Sequence, residues 1–171
     1  MSKKETITQF FRTYESEETK KIFERNEYLA NRLSAFVLIV SAVVLVISWA
    51  LNLFDIFTVS KVTMNLLAIQ GLIEIAVPLV LFKIFNGKNS WLKYVMVLAL
   101  LLVCMRLFGV LNHNVILIMV LPVLLSSRYF SKGFTINISI ISLGALAIAS
   151  ASTAVYRIID LNYYPAPMTE R

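Results

Sequence analysis

The feature that most constrains this chain is an uncharged apolar run of 22 residues, from Leu33 to Phe54. A helix rises 1.5 Å per residue, so about 20 apolar residues cross the roughly 30 Å hydrocarbon core of a bilayer. Four further apolar runs follow, at residues 61–83, 92–110, 115–130 and 134–156. Backbone polar groups find no water inside a bilayer, so each run is predicted to be a helix. The sequence therefore predicts an all-α polytopic membrane protein with five transmembrane helices.

Composition excludes the class of soluble globular proteins. The 171 residues are 58% hydrophobic and 15% charged, whereas soluble domains are about 45–50% apolar and about 25% charged. A soluble chain of this length could not bury such an excess of apolar surface. The single cysteine, Cys104, excludes an internal disulfide, and no Cys/His spacing predicts a metal site. We expect neither a metal nor a cofactor.

The chain divides into three parts at residues 32 and 156. Residues 1–32 are predicted to be a cytoplasmic, partly helical segment, because acidic residues precede basic ones in "SEETKKIFERNEYLANRLSAF", which complements a helix dipole. Residues 33–156 form the predicted transmembrane domain. Residues 157–171 contain two prolines and little apolar length, and are predicted to be an exterior tail.

Lysine and arginine predict the orientation in the membrane. Five crossings place twelve of the 16 basic residues on one side and three on the other, with Arg106 inside a span. The positive-inside rule then puts the N-terminus in the cytoplasm and the C-terminus outside the plasma membrane, which in a bacterium is the inner membrane. The net charge of +6 is explained by this topology, so no nucleic-acid partner is expected. The twelve are Lys3, Lys4, Arg12, Lys20, Lys21, Arg25, Arg32, Lys83, Lys88, Lys93, Arg128 and Lys132.

Polar residues within the predicted spans are the candidates for function. An ionisable group in a span costs about 2.5–3.5 kcal/mol on insertion scales, so it normally faces a partner or a wet cavity. Glu74 lies about 20 Å below Lys61, and Arg106 about 21 Å above Leu92, which leaves about 10 Å of depth between the two charges. This depth argues against a direct ion pair. Arg106 could instead snorkel outward, or connect to Glu74 through Gln70 and water.

Two interpretations of these residues stay open. Arg106, Glu74 and Gln70 could form a ligand or switch site, or they could be polar contacts between helices worth about 0.6–2 kcal/mol each. His113, in the turn between the third and fourth runs, is either a solvated surface residue or a pH sensor. Pro78 and Pro122 are predicted to kink their helices.

No enzyme motif is present in this sequence. It contains no Gly-rich phosphate loop, no H-E-x-x-H and no G-x-S-x-G. An enzymatic function of these residues is therefore not expected.

The stretch "LPVLLSSRYFSKGFT", together with "ERNEYLANRLSAF" and "LNLFDIFTVSKVT", resembles the N-terminal multi-helix membrane sensor regions of bacterial signalling receptors. Such regions precede cytoplasmic output domains in diguanylate cyclases, histidine kinases and chemotaxis receptors. The resemblance covers roughly residues 24 to 156. It implies a sensory input module without its own catalytic output. Those regions typically have six spans, so this chain is expected to be either the leading part of a longer receptor or a stand-alone membrane protein.

Two other functional classes are compatible with the same residues. One is a small transporter or permease subunit, in which Glu74 would bind a proton or cation. The other is a structural or accessory protein that binds partner helices. The expected partner in every case is the lipid bilayer, with a homodimer or partner membrane helices left open, and the sequence does not specify a ligand.

Overall fold

The computed structural model describes residues 3–56 and 60–155, and within these ranges it contains helices and turns but no strand. The all-α class is confirmed. The elements are α1 (Lys3–Leu53), α2 (Lys61–Ile84), α3 (Leu92–Leu111), a 3-10 segment (Asn112–Val120), α4 (Leu121–Ser127) and α5 (Lys132–Val155).

Helix α1 joins the N-terminal segment and the first apolar run into one helix of 51 residues. At 1.5 Å per residue it is about 76 Å long, more than twice the thickness of a hydrocarbon core. Only its apolar C-terminal part can therefore lie in a bilayer, and the remainder must project beyond it.

Within the described ranges, four helices are long and apolar enough to cross a membrane, and they indicate a membrane protein. They are Thr19–Leu53, Lys61–Ile84, Leu92–Gly109 and Lys132–Ala151. They overlap most of the first, second, third and fifth predicted spans.

The fourth predicted span, residues 115–130, is not the continuous α-helix that the apolar run suggested. The backbone is a 3-10 helix as far as Val120, and only seven residues, Leu121–Ser127, are α-helical. Pro122 lies in the first turn of α4. A proline there has no intrahelical acceptor to leave unpaired, whereas in the middle of one long α-helix it would remove a bond and clash with the preceding turn.

Helix α3 is the centre of the bundle. More than half of its apolar window is buried (56%), against 22–28% for the windows of the other three long helices. Its buried side chains include Met96, Leu100, Val103, Leu107 and Phe108. The outer faces of α1, α2 and α5 expose large aliphatic side chains instead, a surface suited to lipid rather than to water.

Helices α1 and α2 approach closely at Gly71. A Cβ atom placed on Gly71 would lie 2.7 Å from the Cδ2 atom of Leu45, which is itself buried. Small residues allow helix backbones to approach in a membrane, and Gly71 serves this purpose here.

Buried hydrogen bonds bring three distant parts of the chain together at one end of the bundle. The Asn31 side chain of α1 donates to the Gly87 carbonyl in the α2–α3 turn (2.9 Å), and Tyr129, just after α4, donates to Asn31 (2.9 Å). The α2–α3 and α4–α5 turns thus lie at the same end. We call it the basic end, because it contains the basic residues Lys83, Lys88, Lys93, Arg128 and Lys132.

Candidate functional site

The candidate site is a polar cluster between α2 and α3, consisting of Gln70, Glu74 and Arg106. Gln70 and Glu74 are four residues apart, so they lie one above the other on the same face of α2. The Arg106 Nε donates to Glu74 Oε1 at 2.8 Å, and its Nη1 donates to Gln70 Oε1 at 2.7 Å. One guanidinium therefore bonds two successive turns of the neighbouring helix.

The direct ion pair corrects the separation of about 10 Å expected from helix rise. In a helix each Cα–Cβ bond is tilted toward the N-terminus. Because α2 and α3 run in opposite directions, Glu74 leans toward the end where α2 begins and Arg106 leans the opposite way. The two long side chains therefore point toward each other, and they span the difference in height between their Cα atoms. Arg106 is held by α2 rather than snorkelling away.

The two charges differ in their exposure. The Glu74 side chain is 16% exposed, and its Oε2 atom is buried without a hydrogen-bond partner among the described residues. The Arg106 side chain is 42% exposed. Bonds to described residues use two of the five N–H groups of the guanidinium, which leaves three donors without a described acceptor. The cluster is neutral overall, but it presents an arginine on the outer surface of the α2–α3 pair.

Arg106 lies next to buried side chains of α3. Val103, Cys104 and Leu107 on the same helix are between 1% and 7% exposed. A movement of α3 that breaks the bonds of Arg106 must therefore also disturb this packing.

Pro78 changes the backbone hydrogen bonding of α2 at Glu74, a member of the polar cluster. It lies within α2 and is buried, four residues after Glu74. In an α-helix residue 78 would donate its N–H to the carbonyl of residue 74, and a proline has no N–H. The glutamate that pairs with Arg106 therefore also has a main-chain carbonyl without its usual helical donor. Pro122 is buried in the first turn of α4.

His113 belongs to the 3-10 segment, but its side chain lies outside the described residues. The structure thus brings Gln70, Glu74 and Arg106 together, and leaves the part expected of His113 as a prediction. Among the described residues, no group of three or more His, Cys, Asp or Glu side chains could hold a metal ion.

A second polar network, at the basic end, was missed by the sequence reasoning. The Tyr129 hydroxyl lies 2.7 Å from the Ser34 hydroxyl and also bonds Asn31, and all three side chains are buried. The sequence signal was the pair Asn31 and Ser34, three residues apart beside the first apolar run. Tyr129 resembled an ordinary aromatic residue of a membrane interface.

Glu27 and Lys93 form an ion pair beside this network. Ser90 also donates to Glu27 (2.6 Å), and the Lys93 ammonium lies 5.5 Å from the centre of the Tyr94 ring. Glu27 precedes the uncharged run of α1 by six residues and lies outside the span. Partial burial raises the pKa of its carboxyl, but the bonds from Lys93 and Ser90 outweigh burial, and the net pKa lies below the ordinary value of 4.5.

Comparison of the chain with protein-family models, with curated proteins and with solved structures finds no match.

Proposed function

We propose that this protein is a membrane-embedded sensory module of a bacterial signal-transduction protein, with no catalytic output in these residues. The observation that supports this most directly is the position of the polar cluster next to an unusual backbone. Arg106, which bonds Glu74 and Gln70, is six residues before a nine-residue 3-10 helix. Runs of 3-10 helix longer than three or four residues are uncommon, and within longer helices they often mark hinges.

Five membrane crossings are part of the proposal. A 3-10 helix rises about 2.0 Å per residue, so the 3-10 segment and α4 together extend about 28 Å, close to the thickness of a hydrocarbon core. The bonds of Tyr129 to Asn31 and Ser34 support a return of the chain to the basic end after α4. The fourth crossing would then be a 3-10 helix continued by a short α-helix.

The basic end would face the cytoplasm, together with the N-terminal part of α1. This orientation is tested by a Lys88→Cys substitution in a Cys104→Ala background. In intact cells a membrane-impermeant maleimide should label position 88 only after permeabilisation. Labelling of sealed cells from outside would reverse the orientation.

The mechanism would be a two-state change in helix packing. Rewinding the nine residues of the 3-10 segment to α-helix shortens it by about 0.5 Å per residue, or about 4.5 Å in all. Such a shift exceeds the length of a hydrogen bond, so α3 would leave its contacts with Gln70 and Glu74. A signal would act by binding one of the two packings better, since only differential affinity moves the equilibrium.

Cys104 offers a native reporter for this change. It is the only cysteine, it lies two residues before Arg106 and it is 1% exposed, so a membrane-permeant maleimide should react only when α3 opens. Arg106→Leu removes two bonds between α2 and α3. We expect its labelling rate to rise about tenfold, the effect of about 1.4 kcal/mol on an equilibrium. Arg128→Leu, which also removes a cation, is the matched control.

The sensory proposal further requires that the labelling rate of the wild-type protein respond to the surroundings. Native membranes would be labelled across a series of external pH values and salt concentrations, with and without an uncoupler. We expect at least one condition to change the labelling rate of the wild type while the labelling rate of Arg106→Leu stays the same. A rate that is constant under all conditions, and equal in Arg106→Leu and Arg128→Leu, would refute a switch at this cluster.

A transporter is the second candidate, and it is supported by the buried Oε2 atom of Glu74, which has no hydrogen-bond partner among the described residues. A carboxylate with one free oxygen in a buried position is a suitable carrier for a proton. Proton flux into liposomes that contain the purified protein should then be abolished by Glu74→Gln. An absence of flux in the wild type excludes this alternative.

Binding of partner helices is supported by the exposure of Arg106, which is 42% on a surface otherwise suited to lipid. A partner of this kind would supply an acceptor to the remaining N–H groups. A defined partner that co-purifies with the wild type, under all conditions, and is lost with Arg106→Leu would favour this class.

A further inference from the structure

A cleft of about 870 Å³ opens at the basic end, between α1 and the end of α2. Glu24, Arg25 and Tyr28 line it from α1, and Phe82, Lys83 and Lys88 line it from α2 and the α2–α3 turn. Three cations and one carboxylate thus face the same space, for a net charge of +2 if all are ionised. The cleft is distinct from the polar cluster, which lies between α2 and α3.

The three cations of the cleft form no ion pair within the part of the chain that the structure describes. Among the described residues, Arg25, Lys83 and Lys88 take part in no ion pair, whereas Lys93 is paired with Glu27 and Lys61 with Asp55. The positive-inside rule explains why basic residues lie at this end of the protein, but it does not require them to converge on one cleft. Their convergence favours an anionic ligand.

The wall of the cleft is aromatic. Tyr28 is 37% exposed. Phe82 is partly buried, and it lies one helical turn before Asn86, another residue that lines the cleft. The turn holds this ring closely, since a Cβ atom on Gly87 would lie 2.5 Å from the Phe82 Cε2 atom. Gly87 also has a φ of 68°, a conformation that favours glycine. The cleft is therefore lined by cations and by two aromatic rings.

We propose that this cleft binds the headgroup of an anionic phospholipid. Arg25, Lys83 and Lys88 would contact the phosphate, and the rings of Tyr28 and Phe82 would contact the glycerol and the first methylene groups. Basic pockets between helices at the membrane surface are suited to anionic headgroups. A free phosphate ion would bind the same cations but would make no contact with the two aromatic rings. Loss of an aromatic ring should therefore weaken binding of a phospholipid and not binding of free phosphate.

The test compares phosphatidylglycerol with phosphatidylcholine of the same acyl chains, bound to the purified protein in detergent and counted by native mass spectrometry. We expect phosphatidylglycerol to be preferred. Arg25→Gln/Lys88→Gln should weaken its binding about 25-fold, since each basic residue near an anionic surface is worth about fivefold. The matched control, Arg128→Gln/Lys132→Gln, removes two charges from the same end and should change binding less than twofold. Folding of each variant is checked by its size-exclusion profile.

Two further variants keep the proposal falsifiable if the double variant is unstable. Glu24→Gln removes the only carboxylate among the described lining residues of the cleft, and it should tighten binding of phosphatidylglycerol. Phe82→Leu should weaken binding of the lipid while leaving binding of inorganic phosphate unchanged. The proposal is overturned if the control variant loses as much affinity as the cleft variant, if the two lipids bind equally, or if inorganic phosphate displaces the lipid from the wild type.

Discussion

Removing either charge of the Glu74–Arg106 pair should destabilise the protein more than removing both. Glu74→Leu leaves the Arg106 guanidinium among apolar side chains with only Gln70 as a described partner. Breaking a fully buried ion pair costs about 3–5 kcal/mol. Because the Arg106 side chain is 42% exposed, and could turn toward the nearby end of α3, we expect about 2–3 kcal/mol for Glu74→Leu.

The double variant Glu74→Leu/Arg106→Met should recover most of this loss, because two apolar side chains of similar length need no counter-ion. Because each single variant is expected to cost more than the double variant, the double-mutant cycle should give a coupling energy of at least about 3 kcal/mol. The corresponding cycle for Gln70 and Arg106 involves a neutral acceptor. Hydrogen bonds between transmembrane helices average about 0.6 kcal/mol and reach about 1.7 kcal/mol, so this second coupling should be the smaller.

Both cycles are measured as free energies of unfolding, by reversible denaturation in mixed detergent micelles. Tyr28→Phe serves as the control, because Tyr28 is exposed and lies away from the polar cluster. Its change in the free energy of unfolding should simply add to that of Arg106→Met. The reasoning is refuted if the effects of Glu74→Leu and Arg106→Met simply add. A Gln70 coupling as large as that of Glu74 would show that the charge of the carboxylate contributes little.

Three further predictions concern the remaining contacts. Gly71→Leu should cost about 1–3 kcal/mol of stability by separating α1 from α2, measured by the same denaturation assay. Tyr129→Phe should cost about 1–2 kcal/mol, since the Asn31 side-chain oxygen loses its donor, whereas Tyr94→Phe should cost little. Because the pKa of Glu27 is lowered in the folded protein, its ionised carboxylate stabilises the fold at a pH above the unfolded pKa, and this stabilisation is lost as the pH falls below about 4.5. The free energy of unfolding should therefore depend less on pH in this acid range in Glu27→Gln than in the wild type.

The long helices could be predicted from the sequence because apolar length alone defines them. The runs at 61–83 and 92–110 correspond to α2 and α3 within one or two residues at each end. The run at 115–130 has enough apolar length too, but length does not distinguish an α-helix from a 3-10 helix. Pro122 was the available signal, since it cannot donate to the preceding turn and so favours a helix that begins there.

The contacts of the candidate site could be predicted only in part. Gln70, Glu74 and Arg106 were identifiable because polar residues in apolar runs are conspicuous, but the lean of side chains in antiparallel helices decided their contact. The bonds between α1 and Tyr129 span 95 and 98 residues of sequence, and no local pattern specifies such a pairing. Asn31 and Tyr129 are, taken singly, ordinary residues of a membrane boundary.

Helix α3 connects the polar cluster to the basic end, and this geometry limits how the bundle can move. Arg106 and Lys93 are 13 residues apart on α3, or about 20 Å along its axis. Both are bonded to other helices, Arg106 to α2 and Lys93 to α1. A slide of α3 by the 4.5 Å that rewinding of the 3-10 segment would supply must break both sets of bonds together, since a packed helix moves as a rigid element. In the proposed switch, a change that weakens the bond between Lys93 and Glu27 would by linkage also favour release of Arg106, although it leaves the polar cluster itself unaltered.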